Sequence, residues 1–381
     1  MKFARFFRPV GLLAVGLLLL AAQPAEAQRK RNPLRENKKA FFVTEEARRI
    51  GDQVLAYQRC TGGWPKNIDM AEPLTDEQLQ EVLAEKSRRD DSTIDNDATT
   101  LQLTYLARLW QATHAERYRE AFRAGIEYLL SGQYPNGGWP QFWPETRGYQ
   151  FHITYNDDAM VNTMLLFREI FQAKAPYDGE LVDEAMRDRL RTSFDKGVAC
   201  ILRTQIVADG KPTVWCQQHD RETLQPAPAR SYELPSYCSQ ESAAIVRLLM
   251  ELPDPDEAVK RAVHGAMAWF DAHKITGWRV EFRDGNRQLL AAGAGDPPIW
   301  GRFYDLEECI PYVCDRDGIP QRSLQAIGAE RRNGYSWYNS RPAELYPRYA
   351  EWADRYDPAH KLPLQLDSPG ANERGDFQVM P

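Results

Sequence analysis

The sequence predicts an all-α protein, an (α/α) toroid (α/α barrel) of repeated helix hairpins, and three observations carry that prediction. A segment closing on Gly-Trp recurs along the chain, helical apolar spacing surrounds each recurrence, and period-two alternation is confined to fragments such as Trp278 to Phe282. Hairpins that repeat in this way cannot bury their apolar faces singly, so they stack, and a stack that curves closes into a ring.

The first element is a leader. Lys2, Arg5 and Arg8 precede an apolar stretch from Val10 to Ala22, and Ala25-Glu26-Ala27 supplies a small-x-small cleavage site. Residues 1–27 therefore read as a removed secretory signal, with Gln28 as the first mature residue and a secreted or periplasmic destination. No later segment approaches a membrane span. Residues 28–45, rich in Lys, Arg and Asn, read as a loose N-terminal arm.

The repeat occupies residues 46–361. "GDQVLAYQRCTGGWP" (51–65) and "GIEYLLSGQYPNGGWP" (125–140) share a glycine, an apolar run, a glutamine and Gly-Gly-Trp-Pro. "GVACILRTQIVADGKPTVW" (197–215) keeps the order loosely, and "GAMAWFDAHKITGWRV" (265–280) more loosely still. The leading glycines lie 74, 72 and 68 residues apart, which sets one hairpin per unit. From Leu362 to Pro381 the chain reads as a tail without a core of its own.

Between the turns stand two acidic helix entrances. Asp95, Asn96 and Asp97 precede a run whose Leu103, Leu106, Ala107 and Trp110 repeat at helical spacing, and Asn156, Asp157 and Asp158 precede Met160, Thr163, Met164 and Phe167. One such cluster is ordinary capping, because Asp and Asn oxygens accept the orphan N–H groups of a first turn. Two copies suggest a shared hard cation, for which Asp95, Asp157 and Asp158 are the candidate ligands.

Charge and composition exclude several classes. The whole chain carries −6, and loss of the leader's net +2 leaves −8, which rules out a generally basic nucleic-acid binder. The six cysteines show no zinc spacing, and Cys309 and Cys314 are the closest pair. His152 and His219 sit in no metal motif, and His152 reads as a buried, backbone-bonded histidine. Trp64 and Trp139 serve either turn packing or sugar stacking. Lys66 and Asn67 follow the first turn within reach of a carboxylate, whereas their counterparts Gln141 and Phe142 carry no charge. Taken singly, Arg230 reads as an ion-paired arginine, and Arg302 and Arg316 have acids close by in sequence.

Eight blocks in order, "GGWPKN", "IDNDATT", "GGWPQFWP", "ITYNDDAM", "WCQQHD", "PARSYELPS", "RFYDLEECIPYVCDRDG" and "ERRNGYSWY", resemble the polysaccharide lyase family 10 pectate lyases over Ala47 to Pro347. The resemblance implies a secreted, monomeric toroid that binds polygalacturonate or oligogalacturonates and cleaves them by calcium-assisted β-elimination. It implies that Asp95 and Asp157 hold calcium, that Arg230 is the base, and that Arg302 and Arg316 bind substrate. Lys66, Asn67 and Trp64 stand beside them as substrate-binding candidates. The chemistry is coherent, since removal of the C5 proton beside a uronate carboxylate builds charge that a cation stabilises. Arginine is an awkward base because its guanidinium normally stays charged. Three rivals follow from the same residues: a toroidal hydrolase using paired carboxylates, a non-catalytic polysaccharide binder, and a terpene cyclase, whose apolar cavity does not suit these polar, arginine-rich blocks.

Overall fold

The computed structural model describes residues 32–367, so the leader and the tail beyond 367 lie outside the described residues. Ten helices dominate: α1 (Glu45–Tyr57), α2 (Asp76–Ala84), α3 (Thr100–Thr113), α4 (Glu116–Ser131), α5 (Ala159–Phe171), α6 (Glu184–Thr204), α7 (Ser239–Met250), α8 (Glu257–His273), α9 (Ala329–Gly334) and α10 (Leu345–Tyr356). Antiparallel pairs α3/α4, α5/α6 and α7/α8 form the hairpins. A front row runs α3, α5, α7, α10, each packed on the next, and α1, α4, α6 and α8 form the back row.

The repeat has a physical content that its loose copies conceal. At the end of each back-row helix an indole N–H takes a helix carbonyl: Trp64 Nε1 donates to Val54 O (2.8 Å), Trp139 to Leu129 O (2.8 Å), Trp215 to Ile201 O (2.7 Å) and Trp300 to Phe270 O (2.9 Å). All four tryptophans are fully buried. A glutamine beside each of the first three turns then bridges to the next back-row helix. Gln58 Nε2 donates to Gly62 O and to Ala121 O of α4, Gln133 to Gly137 O and to Ser193 O of α6, and Gln205 to Thr213 O and to Ala262 O of α8. Each bond contributes about 1 kcal/mol net, and leaving its buried partner unmade costs more.

The fourth unit departs from the sequence reading. Trp278 is not its turn tryptophan; it starts a hairpin of strands Trp278–Arg283 and Asn286–Ala291, and Trp300 beyond that insertion takes the indole position. Lys274, the C-cap of α8, stands where the other units carry glutamine and donates to Gln365 O in the C-terminal segment. Leu362, Leu364 and Leu366 pack against the main core beside it.

Two further expectations change. The chain has a second, smaller core of Phe303, Tyr312, Val313, Tyr335, Trp337 and neighbours, formed around a four-stranded antiparallel sheet of Pro320–Gln321, Pro311–Cys314, Phe303–Tyr304 and Tyr237–Cys238. Most of its strands hold two residues, too few to display alternation. The arm is docked from Asn32 onward: Leu34 and Phe42 are buried, Arg35 pairs with Asp97, and Arg108 Nη1 holds Glu36 O at 2.7 Å. Cys314 is a buried thiol, so it is not bridged to Cys309.

The Gly-Gly turns are the least forgiving points of the frame. Gly137 sits at φ +95°, and a Cβ there would lie 2.0 Å from Lys196 O; Gly62, at φ +93°, meets Ala124 O in the same way at 2.3 Å. Gly137→Ala is expected to cost roughly 3 kcal/mol or more in urea unfolding. Gly210→Ala, at φ +73° with nothing within 4 Å, should cost about 1 kcal/mol. Equal losses would show that backbone conformation, not close approach, is what the turn requires.

Candidate active site

The amino ends of α3, α5, α7 and α10 point to one end of the molecule, and the loops after the Trp turns converge there. Asp95 and Asn156 occupy matching places, each opening a one-turn 3-10 segment: Asp95–Asp97 before α3 and Asn156–Asp158 before α5. The two segments share left-handed backbone at their second and third residues, Asn96 and Asp97 in one and Asp157 and Asp158 in the other. Asp and Asn tolerate that region better than other non-glycine residues, which explains why both copies are built from them.

Asn156 is the residue that joins the two entrances. Its Nδ2 donates to Asp95 Oδ1 at 3.1 Å and to Asp157 Oδ2 at 3.0 Å, so both carboxylates lie within the reach of one amide. Gln217 Nε2, 2.5 Å from Asn156 Oδ1, fixes the orientation of that amide. Lys66 pairs with Asp95, and Arg302 lies 3.6 Å from Asp157 Oδ1 while pairing with buried Glu241. Burial raises the Asp157 carboxyl above its ordinary value; Arg302 opposes this, and the like charges of Glu241 and Asp95 add to it.

Asp158 belongs to a different partnership, since Arg341 ahead of α10 holds it by both oxygens. Its counterpart Asp97 is likewise engaged, by Arg35 and by Asn162 Nδ2 at 2.8 Å. The first pair ties α10 to α5, and the second ties the arm and α5 to the α3 entrance. Asn67 accepts from Asn96 Nδ2 at 2.8 Å and borders the same opening as Lys66. Trp64 is corrected as a binding candidate: it is 0% exposed, its N–H is spent on Val54 O, and it has no face for a sugar.

Arg230 stands over a second cluster. Its Nε (2.7 Å) and Nη2 engage both oxygens of Glu233, its backbone N–H donates to the same carboxylate, and Tyr335 Oη donates to Glu233 Oε1 at 2.6 Å. Burial would lower the guanidinium, but the bonds to Glu233 outweigh it and hold Arg230 above its usual value. Tyr335 also links the halves of the site, lying 3.4 Å from Gln217 Nε2 with its ring 4.7 Å from the Arg302 guanidinium. Arg316 is exposed and pairs with Glu330, while its guanidinium and those of Arg230 and Arg331 all approach the Tyr232 ring. Sequence reasoning missed Asn156, Gln217, Glu233, Tyr335 and Arg331. Only Asn156 had a signal, the exchange of Asp and Asn between "IDNDA" and "YNDDA".

The histidines play no part in this geometry. His219 is fully buried, bonded to Leu224 O and the Cys216 N–H, and burial pushes it down to about 4. Among the described residues no group of three or more His, Cys, Asp or Glu side chains is placed to hold a metal ion alone. Asp95 and Asp157 still fit a hard cation as a two-carboxylate edge, provided a bound acid and water complete the shell.

Comparison with known proteins identifies the family. The family model described as pectic acid lyase matches residues 58–346. A family 10 polysaccharide lyase from Cellvibrio cellulosa superimposes with a TM-score of 0.72 at 30% identity, covering 84% of this chain and 96% of that one. An aspartate-to-alanine mutant of a family 10 lyase from the same organism, in complex with trigalacturonic acid, gives 0.73 at 30% identity, with 85% and 98% covered. No curated protein matches.

The raised Asp157 has a consequence for stability. Its folded value lies above the unfolded one, so ionisation costs stability, a cost that grows as pH rises through the folded value and is gone below the unfolded value of about 4. Asp157→Asn is expected to melt at a higher temperature than the parent at pH 7, with the difference closing toward pH 4. A lower melting temperature at pH 7 would mean that attraction to Arg302 outweighs burial.

Proposed function

Because the chain belongs to the pectic acid lyase family, we propose that it is exported and cleaves polygalacturonate by calcium-assisted β-elimination on an (α/α) toroid. It is a pectate lyase; the toroid, the metal, the base and the destination are the parts proposed. The observation that carries the reading is the amide of Asn156, which brings Asp95 and Asp157 to one point beside Lys66 and Arg302.

Asp95 and Asp157 would hold calcium, with the uronate carboxylate of the substrate and water as the remaining ligands. Bound there, the ion would draw charge from that carboxylate and acidify the neighbouring C5–H. Lys66, exposed on one side and paired with Asp95 on the other, supplies a cation for a uronate group, and Asn67 offers a neutral donor next to it. Arg316 and Arg331, around Tyr232, face the next sugar along from Arg230.

Arg230 is the proposed base. Its guanidinium must first lose a proton to solvent, a loss that Glu233, which accepts from Nε and Nη2, opposes. The freed nitrogen then removes the C5 proton, the C5–H electron pair becomes the C4=C5 double bond, and the C4–O bond breaks. The departing oxygen is protonated from water. In the resting site Glu233 keeps Arg230 charged, so the rate should climb with pH as the pair gives up its proton.

Three outcomes test this reading. The full mature chain with polygalacturonate should release an unsaturated, ultraviolet-absorbing product that a calcium chelator suppresses, and Asp95→Ala or Asp157→Ala should lose most of that activity at low calcium. A product without the chromophore would mean hydrolysis. Arg230→Ala and Arg230→Lys should each lower kcat by ~10² to 10⁴ with much smaller changes in oligogalacturonate affinity; near-normal turnover would assign the base elsewhere. Glu233→Gln removes the charge that favours protonated Arg230, so the alkaline rise of kcat/KM should begin at lower pH. An unmoved profile with uniform loss would reduce Glu233 to a prop.

A further inference from the structure

The carboxyl ends of the same front-row helices converge on a feature that the catalytic reading does not use. A cavity of about 470 Å³ lies there, lined by Arg168 in the last turn of α5, Arg247 in the last turn of α7 and Arg355 in the last turn of α10. Lys174 and Arg348 add two more cations, and Glu251 and Glu351 are the only acids in the lining. Five positive groups thus face two negative ones, on a chain whose formal charge is −6. From Asp158 at one end of α5 to Arg168 near the other is about 15 Å at 1.5 Å per residue, so this is not an extension of the active site.

Cations at helix ends have an ordinary explanation, because the last carbonyls and the dipole favour them. Two observations exceed it. Lys174 lies beyond the end of α5 and Arg348 in the first half of α10, so neither is a last-turn residue. More tellingly, buried donors on the lining lack acceptors: Nε and Nη1 of Arg168, and Nε1 of Trp352, whose residue is 4% exposed. The one carboxylate in contact, Glu251, is already shared between Arg168 Nη2 (2.6 Å) and Arg348 Nη1 (3.9 Å). Buried N–H groups without acceptors are costly, and a dipole role leaves the cost in place. An anion that draws the Arg168 guanidinium outward into the cavity would supply the missing acceptors.

We propose that this cavity is a second, non-catalytic binding site for a short run of an acidic polysaccharide, one uronate carboxylate engaging Arg168 and the next reaching Arg348 and Arg355. Tyr356, half-buried on the rim, presents ring surface to the sugar. The identity of the ligand rests on the polyuronate reading above; the existence of a polyanion site does not. Such a site would hold the enzyme on its polymer independently of turnover, a role that an appended binding module fills in other enzymes.

The test uses the full mature chain in native gels containing polygalacturonate, with chelator present so that nothing is cleaved. Arg348→Glu combined with Arg355→Glu, both on the outer rim, should weaken retardation on the order of tenfold. The same variant should keep the parental kcat/KM on trigalacturonate in calcium, and Arg348→Lys with Arg355→Lys should restore retardation. If charge reversal unfolds the chain, Arg348→Gln at this 55% exposed side chain is read in the same way. Unchanged retardation overturns the proposal. So does full loss of retardation in Lys66→Ala with the cavity intact, because binding would then lie in the catalytic cleft alone. Inorganic phosphate that abolishes retardation where chloride of equal ionic strength does not would assign the cavity to a small anion and also overturn it. Absence of unsaturated product would instead sink the lyase reading and leave the retardation result standing.

Discussion

The indole-to-carbonyl hydrogen bond at the end of each back-row helix is the constraint from which the rest of the molecule follows. It fixes the angle at which the chain leaves the helix, and every loop that builds the active site departs from such a turn. With Trp64, Trp139, Trp215 and Trp300 buried, the turn cannot drift without stranding an indole N–H in the core, at about 1–3 kcal/mol. The glutamines then tie neighbouring units, so loops widely separated in sequence, such as those of Asp95 and Arg302, meet at one place.

Within that frame the site is organised by alternating charge. Lys66 faces Asp95, Arg302 lies between Asp157 and Glu241, and Arg230 closes on Glu233. Each ion thus has an internal partner, which limits the desolvation penalty of burying charge. The raised carboxyl of Asp157 marks the place where compensation is incomplete. Under the calcium reading that is the place for the ion, because a cation there would gain more than one placed among fully satisfied groups.

Much of this was legible in the sequence, for reasons that can be named. Gly-Gly-Trp-Pro is legible because one local geometry, left-handed glycine followed by a buried indole, demands those residues twice. The acidic entrances are legible for the same reason. The fourth turn was misread because an inserted hairpin moved its tryptophan from the expected place to Trp300, and spacing alone cannot see an insertion. Trp64 was ambiguous because a tryptophan suits a sugar face and a core equally well until burial is known. Gln217 and Tyr335 were invisible for a deeper reason: they act through partners up to 118 residues away, as Gln217 does with Tyr335, and no local pattern records a contact across the fold.

Lys274 has a meaning beyond the bond it makes. In the first three units the bridging residue reaches forward to the next back-row helix, but among the described residues no back-row helix follows α8, and the lysine of the fourth unit grips the carbonyl of Gln365 in the segment after α10. That segment therefore takes, at the end of α8, the place that a following back-row helix takes in the earlier units, and its leucines pack on the main core there. Seen so, a single side chain turns the link from the next helix to the chain's later segment, and it joins residues 91 apart in sequence.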